Sequence, residues 1–265
     1  MINIGKPFSV EIKEVVEETP NVKTFLFNID LDKMDLDAKP GNFLMIWIPG
    51  VDEIPMAISS FDPLGITVEK IGDATQALHR KEEGDLIGIR GPFGRSFEVT
   101  GEKIVLVAGG VGIAPLAPLP ELYEKEFTVL LGAKKKEELI FLDRLRENSS
   151  VKVSTDDGSL GFKGYVTALY ETHLKTSTHD LCIACGPEPM MYKSVQISKK
   201  NKIPCQISLH RYIKCGIGLC GQCCVDTTGW RVCKEGPVFW DKELDLIKEF
   251  NRYRRGPDGR KIKMD

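Results

Sequence analysis

The chain has no surplus of basic residues and no hydrophobic run of bilayer length. Its 36 Lys and Arg are outnumbered by 38 Asp and Glu, leaving a formal net charge of −2. A nucleic-acid binder normally carries a basic face, so that class is set aside. The most apolar stretch, IVLVAGGVGIAPLAPLP, is broken by Gly and Pro and is too short to span a bilayer. The opening MINIGKPFSV lacks the basic-then-apolar pattern of a secretory leader. Histidine is scarce, and the spacing of His79, His173, His179 and His210 matches no metal site. They are read as surface or core residues. No internal repeat or low-complexity tract is visible. These absences predict a soluble, cytoplasmic protein whose thiols are reduced or metal-bound.

What the chain does have is cysteine in one place. Five of its eight cysteines fall within KCGIGLCGQCCVDTTGWRVCKEG. Clustered thiols form disulfides, bind zinc, hold an iron–sulfur cluster or exchange electrons. Four residues separate Cys215 from Cys220, two separate Cys220 from Cys223, and nine separate Cys223 from Cys233. That is the plant-type spacing for a 2Fe–2S cluster. Structural zinc sites come as two C-x2-4-C pairs, and the second pair is missing here. The expected metal ligands are therefore Cys215, Cys220, Cys223 and Cys233. Gly216, Gly218 and Gly221 would let the loop wrap tightly with its amides aimed at sulfur. Cys224 directly follows a ligand, and adjacent residues rarely reach one metal site, so it is assigned to packing. Cys205 is read as buried. Cys182 and Cys185 spell C-x-x-C, but Cys182 lies in an apolar run and reads as part of a buried strand rather than a redox dithiol.

A 2Fe–2S centre accepts one electron and needs a donor. Hydrophobic residues make up 42% of the chain, enough for more than one core. Residues 1–100 read as short β-rich runs, FSVEIKEVVEE, VKTFLFNID, NFLMIWIPG, GITVEKIG and DLIGIRGPFG, several of them alternating apolar and polar. They predict a small antiparallel β-barrel. From KIVLVAGG onward, continuous apolar strands alternate with helices, predicting an α/β doubly wound domain over residues 101–204. Residues 205–265 make a small cluster domain ending in a basic tail, read as solvated or as a partner contact.

Three turns would lie together at the carboxyl edge of that sheet, where open α/β sheets bind ligands. The first holds Gly110, Gly112 and Pro115, with glycines that admit a pyrophosphate. The second holds Asp156, Asp157 and Gly158, whose acids suit ribose hydroxyls or a helix cap. The third holds Cys185, Gly186 and Pro187. One nucleotide site is expected there.

In this order, behind a β-rich N-terminal segment, GGVGIAP, TDDGSLG and CGP resemble the ferredoxin–NADP reductase superfamily. The resemblance implies FAD on the barrel and NAD(P)H on the α/β domain, with Cys185 beside the nicotinamide and flavin. VEKIGDATQAL matches the superfamily's diphosphate motif, which implies that Gly72, Ala74 and Thr75 hold the flavin. GPFGRSF matches the turn after it, with Gly91, Pro92 and Gly94. The superfamily's central flavin motif falls on Ile54, Pro55, Met56 and Ala57, continuing into Ile58 and Ser59. Its proline is kept, while its arginine and serine are replaced. Ser59 or Ser60 is the candidate for the lost hydroxyl. Amides near Gly72–Thr75 and Gly94, with Arg95, are the candidates for the diphosphate.

With CGIGLCGQC and RVCKEGPVF added, the whole order is similar to the electron-transfer subunits of class 1B dihydroorotate dehydrogenases, up to about residue 240. That implies an NAD(P)H-linked oxidoreductase subunit in a heterotetramer with an FMN-containing catalytic subunit of pyrimidine biosynthesis. It also implies a docking face at the cluster loop, around Ile217 and Leu219. Flavin subunits of sulfide dehydrogenases, ferredoxin-dependent transhydrogenases and some hydrogenases share the plan and stand as the alternative. A non-enzymatic iron–sulfur sensor is a third reading. Asp156 and Asp157 favour NADH, whereas Lys134, Lys135 and Lys136 favour NADPH.

Overall fold

The computed structural model describes residues 7–29 and 37–264. Its first part is a closed antiparallel barrel of six strands in the order β1-β2-β5-β4-β3-β6. These are β1 (Phe8–Thr19), β2 (Val22–Phe27), β3 (Phe43–Ile48), β4 (Asp52–Phe61), β5 (Leu64–Glu69) and β6 (Leu86–Phe93), with the short helix α1 (Asp73–His79) before β6. Alternation fills the barrel: Ile12, Phe25, Phe27, Leu44, Ile46, Ile58, Ile66, Ile87 and Ile89 form its core with Leu78 of α1. The strand missing from the sequence reading is β4. Its sequence DEIPMAISSF holds a proline and mixed polarity, which demote a strand when read locally.

β3 explains how the barrel joins the rest. Its sequence FLMIWI is apolar on both faces. Leu44 and Ile46 face the barrel core. Phe43 and Met45 belong instead to a second core shared with the α/β sheet and the cluster segment. Trp47 on that same outward face is 39% exposed.

The second part is a seven-stranded sheet, built from β7 (Lys103–Gly109), β8 (Glu126–Ala133), β9 (Ser150–Thr155), β10 (Phe162–Lys163), β11 (Leu181–Cys185), β12 (Cys205–Ser208) and β13 (Val238–Trp240). The order is β10-β9-β8-β7-β11-β12-β13, parallel except for the last pair. Interleaved helices are α2 (Leu119–Leu122), α3 (Leu142–Asn148), α4 (Val166–His173) and α5 (Glu188–Lys200). Both faces are covered. Val105, Val107, Cys182 and Ala184 pack with α4 and α5. Ile104, Leu106, Ala108 and Ile183 pack with residues of α2 and α3. The helix expected over LAPLPELYEK is only the four residues of α2, with Pro118 at its cap, Pro120 in its first turn and Tyr123 already extended.

The sheet runs past residue 204. β12 pairs with β11, bringing Cys205 opposite Cys182, and β13 adds an antiparallel edge. The chain therefore enters the cluster loop only after Ser208 and returns to the sheet behind it. Helix α6 (Asp241–Leu244) follows, and a hairpin of β14 (Tyr253–Arg255) and β15 (Lys261–Lys263) closes the chain. Among the described residues no helix is long and apolar enough to cross a membrane.

Candidate functional site

Strand order locates the first site. From β7 the sheet proceeds to β8 and β9 on one side and to β11 on the other, so the direction of winding reverses between β7 and β11. A crevice opens at such a reversal, outside the strand carboxyl ends. The turns after these two strands are packed so closely that a Cβ on Gly112 would lie 2.4 Å from the Cys185 carbonyl oxygen. Gly110, at φ +56°, faces open space. The structure thus brings Gly110, Gly112, Cys185, Gly186 and Pro187 together. Pro115 is buried behind them.

Asp156 and Asp157 stand two strands away on the same edge. Asp157 Oδ1 accepts from Ser159 N–H and Oγ at 2.9 and 2.6 Å, and these bonds hold its carboxyl below the usual range. The Lys134–Lys136 segment adjoins it: Asp157 N–H donates to the Lys134 carbonyl at 3.2 Å, and Lys136 N–H to Ser159 Oγ at 2.9 Å. Acidic and basic candidates thus share one corner. Cys185 is half-buried; burial outweighs its bond with Ser208 and pushes the thiol up to about 12. It is neutral at physiological pH. Ser208 was missed in sequence because it becomes a neighbour of Cys185 only when β12 pairs with β11.

The barrel residues divide. Pro55, Met56 and Ala57 form a half-buried apolar strip on β4. Ile58 and Ser59 are fully buried. The Ser59 hydroxyl accepts from Thr67 Oγ1 at 2.8 Å, on the strand face opposite the core side chains Ile58 and Ile66, and Ser60 Oγ donates to the Pro63 carbonyl at 2.7 Å. Thr67 thus engages the Ser59 hydroxyl, and a local turn engages that of Ser60. Gly72 caps α1, with open space where a Cβ would sit. Thr75 Oγ1 accepts from Gly72 N–H at 2.9 Å, fixing that turn, and Ala74 is half-buried beside it. β5 touches the Gly110–Ile113 turn, so the barrel's β4–β5 side adjoins the crevice.

The turn at Gly91, Pro92 and Gly94 serves another purpose. A Cβ on Gly94 would lie 2.5 Å from Pro237 Cδ. Arg95 N–H donates to the Gly236 carbonyl, and its guanidinium is bonded to Glu243 at 2.8 Å and Glu98 at 3.1 Å. Arg95 fastens the barrel to the C-terminal segment, so the expectation that it binds a diphosphate is corrected.

The cysteine loop wraps as its glycines require, with Gly216, Gly218 and Gly221 at φ +73°, +77° and +73°. Amides converge on sulfur: Leu219 and Cys220 N–H donate to Cys215 Sγ at 3.4 and 3.5 Å, Gly218 N–H to Cys233 Sγ at 3.2 Å, and Cys233 N–H to Cys223 Sγ at 3.4 Å. Burial would raise the Cys215 thiol, but the amides of Cys220, Ile217 and Leu219 bring it down to about 6. Thiols gathered in one loop with amides donating to sulfur would suit a 2Fe–2S cluster. Cys224 forms a backbone bridge to Arg231, and its thiol is raised by burial. Gly216 packs against the barrel, where a Cβ would lie 2.9 Å from Met45 Cγ. Arg90 of β6 donates to the Cys215 carbonyl at 3.3 Å while paired with Glu53.

A hub that no motif announces ties these parts together. Arg211 is buried, with Nη1 2.7 Å from Glu188 at the start of α5 and Nε 2.6 Å from Glu249. Glu249 in turn accepts from Asp226 N–H at 2.8 Å.

Residues 210–245 match the family model described as the iron–sulfur cluster binding domain of dihydroorotate dehydrogenase B. The chain is 50% identical over 260 residues to a Methanocaldococcus jannaschii protein named probable dihydroorotate dehydrogenase B (NAD(+)), electron transfer subunit, covering 97% of this chain and 98% of that one. A protein of the same name from Methanothermobacter thermautotrophicus is 46% identical, covering 99% of each chain. Among solved structures, an NADH-dependent reduced ferredoxin-NADP oxidoreductase superposes with a TM-score of 0.81 at 29% identity, over 93% of this chain and 94% of that one. The cytochrome b5 reductase domain of Ulva prolifera nitrate reductase shares the fold, with a TM-score of 0.58 at 16% identity over 72% and 91%. With half of its residues identical to such a relative along nearly the whole of both chains, this chain belongs to the family of dihydroorotate dehydrogenase B electron transfer subunits.

Proposed function

We propose that this chain carries electrons between NAD(H) and a partner flavoenzyme by way of FAD and a 2Fe–2S cluster, serving the oxidation of dihydroorotate to orotate. Together these groups would link a two-electron hydride carrier to a one-electron centre. The chain's own residues position them. Gly110, Gly112, Pro115, Gly186 and Pro187 shape the nicotinamide crevice, with Asp156, Asp157 and Gly158 at its ribose corner. Cys185 stands there as a neutral thiol held by Ser208. The flavin would lie along Pro55–Ala57, with the Gly72–Thr75 turn toward its diphosphate. Cys215, Cys220, Cys223 and Cys233 hold the cluster.

One observation carries this reading. The cluster loop is seated directly on the barrel, through Gly216 against Met45 and Arg90 on the Cys215 carbonyl, while β5 meets the nucleotide crevice. Electrons need short paths, and this packing supplies them on both sides of the barrel.

The exit lies where the loop is open. Leu219 is 80% exposed and Cys220 is exposed. Ile217 and Trp47 line an adjoining open recess of about 550 Å³. Apolar groups of this size at one rim suit a protein partner. That partner is read as an FMN-containing catalytic subunit, joined to this chain in a cytoplasmic heterotetramer. The chain purified from its own cells should bring with it an activity that forms NADH from NAD⁺ and dihydroorotate. Purification to full flavin and iron content with no such activity would refute the reading.

A further inference from the structure

The basic end of the chain is not a loose tail. Residues 252–263 read RYRRGPDGRKIK, six cationic side chains and one acid in a chain whose net charge is −2. They fold into the β14–β15 hairpin, with Tyr253 opposite Lys263, Arg254 opposite Ile262, and Arg255 opposite Lys261. Asp226 of the cluster segment grips its inner face. It accepts from Arg255 Nη2 at 2.9 Å, lies 3.3 Å from Lys261 Nζ and accepts from the Tyr253 hydroxyl. These bonds draw the Asp226 carboxyl down to about 2, Tyr253 contributing most. Lys261 also stands 4.2 Å over the Tyr253 ring. The hairpin's turn is held by the cluster loop itself: Gln222, between Cys220 and Cys223, donates to the carbonyls of Gly256 and Pro257 at 3.3 and 3.4 Å.

One hairpin is thus pinned beside the opening where Leu219 and Cys220 are exposed. Period-2 alternation places Arg254 and Ile262 on one face and Tyr253, Arg255, Lys261 and Lys263 on the other. Arg255 and Lys261 turn toward Asp226. Arg252, Arg254 and Lys263 are exposed, and Ile262 is 46% exposed. Long cationic side chains left exposed cost little in water, but a pinned array of them sets up a local field in an otherwise acidic protein.

We propose that this hairpin is an electrostatic docking arm that recognises an acidic face of the catalytic partner subunit and guides it onto the cluster rim. The proposal rests on the electron-transfer reading above. It follows from continuity. An apolar centre at Leu219 bordered by a charged rim is the usual anatomy of a protein interface. Rim charge chiefly sets the rate of encounter and its dependence on salt. A fixed arm also orients the partner at no ordering cost, since Asp226 and Gln222 already hold it.

The test uses the holoprotein and its catalytic subunit, with a triple charge reversal, Arg252→Glu, Arg254→Glu and Lys263→Glu. None of the three belongs to the Asp226 clamp. At low ionic strength the triple variant should bind the partner at least about tenfold more weakly, and the gap should close as salt approaches the molar range. NADH-driven dye reduction and the spectrum of the reduced cluster should not change. Equal affinity and equal salt dependence in wild type and variant would overturn the proposal while leaving the electron-transfer reading intact. If neither form binds the subunit, the reading itself fails and the proposal with it. A short DNA duplex serves as the second arm. Retention of the duplex by the wild type and its loss in the variant, with partner affinity unchanged, would assign the arm to nucleic acid and overturn the proposal.

Discussion

The cysteine loop and strand β4 both hold a cofactor motif, and they differ in how much of a site each contains. The loop is nearly self-sufficient. Between Cys215 and Cys233 it supplies four thiols and its own amide donors, so spacing alone conveys the chemistry. β4 supplies only an apolar strip. Its hydroxyls at Ser59 and Ser60 are engaged by Thr67 and by the Pro63 carbonyl, and the cation Arg95 is spent on Glu243 and Glu98. A cluster site can be written in consecutive residues because the metal gathers them. A flavin site is assembled from strands far apart in sequence, so a local motif there reports the fold better than the contacts.

The sharpest way to break the contrast is at the thiols. Replacing any one of Cys215, Cys220, Cys223 or Cys233 by Ala should abolish the cluster, read by iron content and the spectrum of the reduced centre. Cys224→Ala should retain it. A cluster that survives without Cys223 and is lost without Cys224 would show that the loop is not self-sufficient as described.

The next effect falls on the hub that anchors the cluster segment to α5 and the C-terminal segment. Arg211→Met leaves the buried carboxylates of Glu188 and Glu249 without their cation. Breaking a buried pair in this way costs about 3–5 kcal/mol. Denaturant unfolding should show that loss. A change below about 1 kcal/mol would mean that the hub is dispensable.

Legibility followed the same division. The barrel, the α/β alternation and the iron–sulfur segment could be read locally because each depends on period or spacing. The strand β4 could not, because Pro55 and its mixed polarity mask a pattern that only its pairing with β3 and β5 completes. Arg211 was silent because its two carboxylates lie 23 and 38 residues away. Taken locally, the tail reads as solvated or as a partner contact. Its order depends on Asp226, which no local pattern singles out.

A smaller effect should appear at the exit. Leu219→Asp should lower electron transfer to the partner by about tenfold, as loss of a central apolar anchor does. Dye reduction by NADH should persist, because it needs only the nicotinamide crevice and the barrel. If transfer to the partner is unaffected, the docking face lies elsewhere.

The smallest concerns pH. Burial, then Lys152 and His179, hold His173 down to about 4, below its ordinary 6.5. The unfolded chain therefore binds the extra proton first, and stability should fall as pH drops from 6.5 toward 4. His173→Asn should flatten that slope in thermal unfolding. An unchanged slope would assign the acid sensitivity to other groups.

The central claim is that one chain connects a nicotinamide crevice, a flavin on the barrel and a cluster seated against it. Anaerobic titration of the purified holoprotein with NADH, followed by absorbance and electron paramagnetic resonance, tests it most directly. The account predicts that the flavin bleaches and a reduced 2Fe–2S signal rises in the same titration, and that the flavin released afterwards is FAD. A flavin that reduces while the cluster stays oxidised at every NADH concentration, or a released flavin that is FMN, would contradict it.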